Sequence, residues 1–361
     1  MLCCLEVTKL AVFLKPDHTQ RNPKEFQSSL PAPMTKKITL LLLIPVMIFT
    51  LLSCETEVDL NAEWKEITIV YGLLNQLDTT HYLRINKAFL GDDALQIAKI
   101  EDSSSYRNAL AVRLEGWNNT QAVQTINFDT ITISNKDTGM WYNPYMQAFT
   151  GTGILNPDLQ YRLFITNTVT GHEVSGKTFL IKNFAIKKPP AGGRLTLFRG
   201  FNTPFQWANG VNARRYEPRI RFHYFEIPAG TQDTIPKSID YVLTTVTSDN
   251  LGGNGDIEVS FSNDAFYSFI QNKLTGSFEG KRLCGTVDFI ISAGGDEYET
   301  YMRVNGPSSS IVQDKPEYTN IENGYGLLSS RYMVFREKRL DVRAENEIIA
   351  LEVKFVTNPN L

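Results

Sequence analysis

Cysteine, histidine and tryptophan occur only four times each in 361 residues. That leaves little material for a zinc cluster, whose usual ligands are thiolates and imidazoles. An excess of one charge is also lacking. The 36 Lys and Arg stand against 39 Asp and Glu, a formal net charge of −3. A near-neutral chain has no basic footprint for nucleic acid. No apolar run reaches the roughly 18 residues that a membrane-spanning helix needs. Internal repeats, heptads and low-complexity tracts are missing too. What is present is 42% hydrophobic and 21% charged residues, the balance of a globular chain. At about 150 residues per domain the length suggests two domains.

The most specific signal lies between Met34 and Cys54. Lys36 and Lys37 form a short positive segment, and Ile38 to Leu52 follow with only Thr39 and Thr50 polar and one proline, Pro45. These 15 residues match the apolar core of a secretory signal and are too few to span a bilayer. The run ends in Leu51-Leu52-Ser53-Cys54, which resembles a bacterial lipobox. In that motif the cysteine thiol is lipidated, for instance with palmitate, and the chain is cut just before it. Met34 then reads as the start, 1–33 as an upstream extension and 34–53 as the signal peptide. Beyond residue 53 the chain carries 30 basic and 36 acidic residues, a net charge of −6. Cys284 is the one thiol left after Cys54, so no intrachain disulfide is expected and stability must come from packed cores. Residues 54–65 form an acidic tether. Glu55, Glu57 and Asp59 in it resemble the surface-export signal of Bacteroidetes lipoproteins.

From residue 66 onward the texture is β. Ile67, Ile69 and Tyr71 alternate with Glu66, Thr68 and Val70, and similar runs occupy 81–87, 109–117, 126–134, 161–165 and 177–186. Turn residues separate them. Short strands at regular spacing predict a sandwich over 66–186. Residues 92–105 are less regular and fit a short helix or a long loop. Lys187-Lys188-Pro189-Pro190-Ala191-Gly192-Gly193 reads as a linker. A second β-rich domain is expected over 194–361, with strands near 219–227, 241–247, 257–261, 286–292, 332–335 and 348–356. One short helix interrupts it. Ser262 or Asn263 caps it, Phe266, Phe269, Ile270 and Leu274 recur at helical spacing, and Gly276 ends it.

Two stretches are distinctive. One is Pro316-Glu317-Tyr318-Thr319-Asn320-Ile321-Glu322-Asn323-Gly324-Tyr325-Gly326-Leu327-Leu328-Ser329-Ser330-Arg331. The other is Tyr71-Gly72-Leu73-Leu74-Asn75 with Ile85-Asn86-Lys87-Ala88-Phe89-Leu90. Together they resemble a family of Bacteroidetes outer-membrane lipoproteins of unknown function. The resemblance covers most of the chain after Cys54. It implies an immunoglobulin- or transthyretin-like first domain and a role beside TonB-dependent outer-membrane receptors. It carries over no catalytic residue. In the signature itself, loop closure and a binding role for Tyr318, Tyr325 and Arg331 are both open readings.

Catalytic patterns are sparse. Gly171 to Thr178 fits G-x-x-x-x-G-K-[ST], but a P-loop needs a helix directly after Lys-Thr, and Thr178-Phe179-Leu180-Ile181 reads as strand. His172-Glu173 opens like a zincin motif, yet Gly176 stands where the second histidine belongs. Cys284, within a β run, reads as a buried inert thiol. Asp296, Glu297 and Glu299, and Asp256 beside Asn254, read as solvated turns that could offer oxygens to Ca²⁺, without EF-hand spacing. Trp141, Tyr142 and Tyr145 form an aromatic cluster suited to stacking on a sugar or anchoring a protein, or to closing the end of a sandwich. The expectation is an all-β, lipid-anchored outer-membrane protein without a catalytic site, metal or cofactor. Its work is binding, or assembly beside a receptor. The alternatives are a surface glycan- or peptide-binding protein or hydrolase feeding a transporter, and a purely structural envelope component.

Overall fold

A computed structural model describes residues 67–88, 94–134, 145–306 and 317–358. Cys54, Trp141 and Tyr142 lie outside the described residues. Up to Phe179 the chain forms β1 (Thr68–Leu74), β2 (Thr80–Lys87), the short helices α1 (Ala94–Ile97) and α2 (Glu101–Ser104), β3 (Leu110–Asn118), β4 (Gln121–Ile133), β5 (Met146–Thr152), β6 (Gln160–Asn167) and β7 (Glu173–Phe179). Next come β8 (Ile186–Lys188), β9 (Asn202–Ala208), β10 (Arg215–Pro228), β11 (Ile235–Val242), β12 (Val246–Thr247), β13 (Asp256–Ser262) and helix α3 (Asn263–Leu274). The last are β14 (Gly280–Gly294), helix α4 (Asp296–Asn305), β15 (Ile321–Glu322), β16 (Gly324–Arg339), helix α5 (Val342–Ile349) and β17 (Phe355–Val356). The protein is mainly β, as its alternating runs predict.

The strands form where apolar residues alternate. In β6, Tyr161, Leu163 and Ile165 are buried while Arg162 and Phe164 face out. In β10, Tyr216, Ile220 and Phe222 are fully buried, and Arg215, Glu217, Arg219, Arg221 and His223 occupy the other face. One hydrogen-bonded path joins β11-β10-β14-β16-β1-β2-β5-β4-β3-β6-β7-β15, and β13-β9-β8 form a separate sheet. All pairs along the path are antiparallel except β1 with β16. The 13-residue β4 pairs with β3 through Phe128 and with β5 from Asp129, so it turns from one layer to the other.

Contacts gather Glu63–Leu361 into one compact unit. Its apolar side chains form two clusters. One holds Val70 to Leu180 together with Ile321 and Leu328, and the other runs from Ile181 to Phe355. Residues 321–328, which the sequence groups with the C-terminal half, therefore help to close the first cluster.

Three local expectations need correction. Asp296 to Glu299 begin helix α4 instead of a turn, with Gly295 as N-cap and three acids in the first turn, where the helix dipole favours them. The strand expected at 348–356 starts with the last two residues of helix α5 and continues as turns and bends. Asp341 caps that helix by accepting from the Ala344 amide at 2.8 Å, and only Phe355–Val356 remain strand. The segment 187–193 is tied down at both ends. Ile186 and Lys188 pair with β9, and the Lys338 ammonium, 3% exposed, donates to the carbonyls of Pro190, Ala191, Gly192 and Gly193 at 2.6–3.3 Å. An ammonium has three N–H groups, so four carbonyls share them. Helix α3 matches its expected cap and stripe. Ser262 accepts from the Ala265 amide, and Phe266, Ile270 and Leu274 are buried beside Tyr267.

The parallel contact of β1 with β16 explains part of the C-terminal signature. Gly326 has φ +117°, and a Cβ there would lie 1.9 Å from the Val70 carbonyl oxygen. Only glycine admits both the conformation and the close approach. Asn320 acts as a short false strand, donating to the Leu328 carbonyl at 2.6 Å and accepting from its amide at 2.9 Å. Gly326→Ala is expected to destabilise the fold by roughly 1–3 kcal/mol from backbone strain alone, with the clash adding to it. Urea unfolding measures this. A change within about 0.5 kcal/mol would refute the account of Gly326.

Candidate functional site

The outer face of β16 carries its odd-numbered residues. Helix α4 lies on part of that face. Gly294 makes room for it, because a Cβ there would sit 2.3 Å from Cδ1 of Tyr298. Tyr301 reaches across to Tyr71 of β1, with phenol oxygens 3.2 Å apart and rings edge to face at 6.1 Å. That hydrogen bond and burial push the Tyr301 phenol up to about 12.

Two acids fix the start of α4. Glu297 Oε2 accepts from Ser329 Oγ at 2.9 Å and from Thr178 Oγ1 at 3.1 Å, joining α4 to β16 and β7. Glu299, 8% exposed, accepts from Arg215 Nη1 at 2.9 Å. Burial raises the Glu297 carboxyl above the usual carboxylate range, and its hydrogen bonds oppose that rise. Both acids thus have protein partners, and no group of three or more His, Cys, Asp or Glu among the described residues is placed to hold a metal. Asp256 is likewise paired, with Lys187 at 2.6 Å.

Beside α4 the face stays open as a cleft of about 420 Å³. Its floor comes from β10, β14 and β16, where Glu217 pairs with Ser292 and Ser292 with Met333. Tyr298 stands on one side, and Leu73 and the turn residues Asn75 and Asp78 contribute too. Arg331 enters from β16 and meets Asp78 at 3.2 Å. Arg219 enters from β10. Its Nε is buried without a hydrogen-bond partner, and the nearest carboxylate, Asp240, is 3.9 Å away. Asp240 already takes both branches of Arg221, at 2.6 and 2.8 Å. That pair, first through its hydrogen bond, holds Asp240 below the usual carboxylate range. Met333, Phe335 and Val242 next to the cleft are 48%, 60% and 71% exposed, so the uncovered face is partly apolar.

Of the residues singled out from sequence, Arg331 lines this cleft. Tyr325 lies on the same strand, exposed, at the level of Ile69. Tyr318 is half-buried near Glu297 and Asp296, and burial followed by those charges raises its phenol. Tyr145 is half-buried just before β5. Arg219, Glu217 and Asp78 were not singled out. The charged alternation of β10 was a signal for the first two, but nothing local marks Asp78.

Other chemistry is occupied. Gly171 turns the β6–β7 hairpin with φ +74°, and Lys177 and Thr178 sit within β7, so no helix follows the P-loop-like pattern. His81 and His172 contact the backbone carbonyls of Gly153 and Asn323. His223 Nε2 meets Asp288 Oδ2 at 2.8 Å, while the nearby Thr286 hydroxyl contacts Glu337 instead of the imidazole. Cys284 is fully buried, which pushes its thiol well up. Among the described residues no helix is long and apolar enough to cross a membrane.

No protein-family model matches the chain, and no curated protein matches it. Among solved structures it is similar to the C-terminal globular domain of the oligosaccharyltransferase of Pyrococcus abyssi. The identity is 12% and the TM-score 0.27, over 75% of this chain and 46% of that one. The chain thus spans less than half of that structure, and so low a score carries no argument about what it does.

The raised Glu297 carboxyl binds its proton more tightly in the folded chain than in the unfolded one. Its stabilising contribution is therefore present at low pH and lost as pH climbs through the raised value. Glu297→Gln keeps an acceptor for Ser329 and Thr178 and removes the buried charge. It is expected to raise the thermal midpoint at pH 7, with the gain shrinking as pH falls through the raised value and gone by about 4. Melting curves followed by circular dichroism across that range test it. A gain equal at both ends would contradict the assignment.

Proposed function

We propose that this chain is a lipid-anchored, outward-facing outer-membrane protein that works by binding, as an accessory component of a TonB-dependent receptor system. The observation that carries the reading is the sequence Leu51-Leu52-Ser53-Cys54 at the end of a 15-residue apolar run, with the first strand opening at Thr68. Acyl chains on Cys54 each contribute about 0.8 kcal/mol per buried methylene, so several anchor the chain stably. Thr68 follows Cys54 by 14 residues, which reach at most about 50 Å when extended. The β body is thereby held close to its membrane. A partly apolar sheet face beside a charged cleft is the kind of surface a partner or a captured ligand uses.

The cleft also favours a second form of this reading, in which the protein captures a small ligand and passes it to a transporter. Both forms need the anchor. Metabolic labelling with an alkyne fatty acid is expected to mark the full-length chain and to fail in Cys54→Ala. A crosslinked pull-down from detergent-solubilised outer membranes is expected to recover one dominant β-barrel receptor, lost in the same variant. Labelling that persists in Cys54→Ala would remove the anchor from the account. Recovery of no barrel would remove the receptor.

A further inference from the structure

We infer that the cleft beside α4 takes a short peptide with free ends, reading the carboxylate with Arg219 and the ammonium with Asp78 and Glu217. The inference rests on the binding reading above and names the ligand class. Its first support is the guanidinium of Arg219. The one nearby carboxylate, Asp240, is committed to Arg221 and stands 3.9 Å from Arg219 Nε, which has no hydrogen-bond partner. A guanidinium with only a distant, shared carboxylate at the wall of a cleft can take a closer anion, and a planar fork suits a carboxylate.

The second support is charge balance. Arg219 and Arg331 are offset by Asp78 and Glu217, which already hold protein partners: Asp78 takes Arg331 at 3.2 Å and Asn75 at 3.0 Å, and Glu217 Oε1 takes Arg215 at 2.6 Å, so a ligand ammonium would join these pairs as a further partner. A polyanion would meet two carboxylates and a polycation two guanidiniums. A ligand with one charge of each sign meets both kinds in place. A neutral glycan's hydroxyls would accept from Arg219 but bring it no opposite charge. Between the charges stand apolar surfaces, Met333 and the ring of Tyr298, against which a side chain can pack. The volume, about 420 Å³, falls within the roughly 300–1,000 Å³ of small-ligand sites and suits two or three residues. All these groups project from paired strands, a short turn and a capped helix, so the site is formed before the ligand arrives.

The test is calorimetric titration of the full-length protein in detergent with the tripeptide Ala-Leu-Ala in four forms: free, N-acetylated, C-amidated and doubly capped. Saturable binding of the free form is expected, weakened roughly tenfold or more by either cap. Arg219→Gln is expected to cost the same factor and to become indifferent to amidation. Asp78→Asn with Glu217→Gln is expected to become indifferent to acetylation. Arg113→Gln, on a distant strand, should bind as the parent does, and circular dichroism checks that every variant is folded. Equal affinity for free and doubly capped peptide, no effect of Arg219→Gln, or no binding at millimolar peptide would each overturn the inference. Those failures would leave the receptor pull-down standing. Cleavage of the tripeptide, read by mass spectrometry, would uphold the ligand class and overturn the non-catalytic reading.

Discussion

Strand β16 is shared by two hydrophobic clusters, and most of the architecture depends on that sharing. Its first half runs parallel to β1 and its second half antiparallel to β14. Leu328 points into the cluster built on β1 to β7, and Tyr332 into the cluster built on β9 to β14. Parallel pairing of strands so far apart in sequence closes a loop of about 250 residues, whose entropy must be offset by what the contact buries. Gly326 lets the backbones approach, and Leu328 is fully buried beside them. Ser329 and Ser330, also fully buried, are satisfied by Glu297 and by the Phe179 carbonyl, so the crossing between clusters leaves these hydroxyls paired.

The same strand places the cleft. Because side chains alternate, a strand that packs Leu328 and Tyr332 inward must turn Ser329, Arg331 and Met333 outward. Ser329 is taken by α4, and Arg331 and Met333 are left in the open. The position of α4 thus decides where the covered face stops and the cleft begins. Glu297 and Glu299 hold its start through Ser329, Thr178 and Arg215. The Arg215 contact is a charge-assisted hydrogen bond worth about 1.5–3 kcal/mol, whereas the two hydroxyls on Glu297 offset only part of what burial costs its charge.

How much of this was legible in the sequence follows from how local each signal is. The alternation of β6 and β10 and the capped stripe of α3 are written in neighbouring residues, and their type could be read directly. The helices α4 and α5 were hidden because their apolar stripes are short and their caps, Gly295 and Asp341, stand in stretches that also fit turn or strand. Lys338 gave no hint that it fills a ring of carbonyls some 145 residues away, so Lys187 to Gly193 read as a free linker from composition alone. In the cleft, Arg331 was visible as part of a distinctive stretch. Arg219 was visible only as one arginine among several on β10. What sets it apart is that Arg221 has already taken Asp240, a competition that exists only once β10 and β11 are paired.

That competition also bears on rigidity. A flexible guanidinium on a loop would find a carboxylate by moving, and would relinquish it only at a cost when a ligand came. Arg219 sits mid-strand between β11 and β14, with Val242 and Ile290 at its flanks, so its backbone is held by both ladders. The unpartnered Nε is offset by packing elsewhere in the sheet. The clamp of Lys338 on residues 190–193 serves the same end. It ties the connection between the clusters to β16, so the strands that form the cleft floor belong to one framework. A ligand entering there would meet groups already in position, and its binding free energy would not be spent on ordering them.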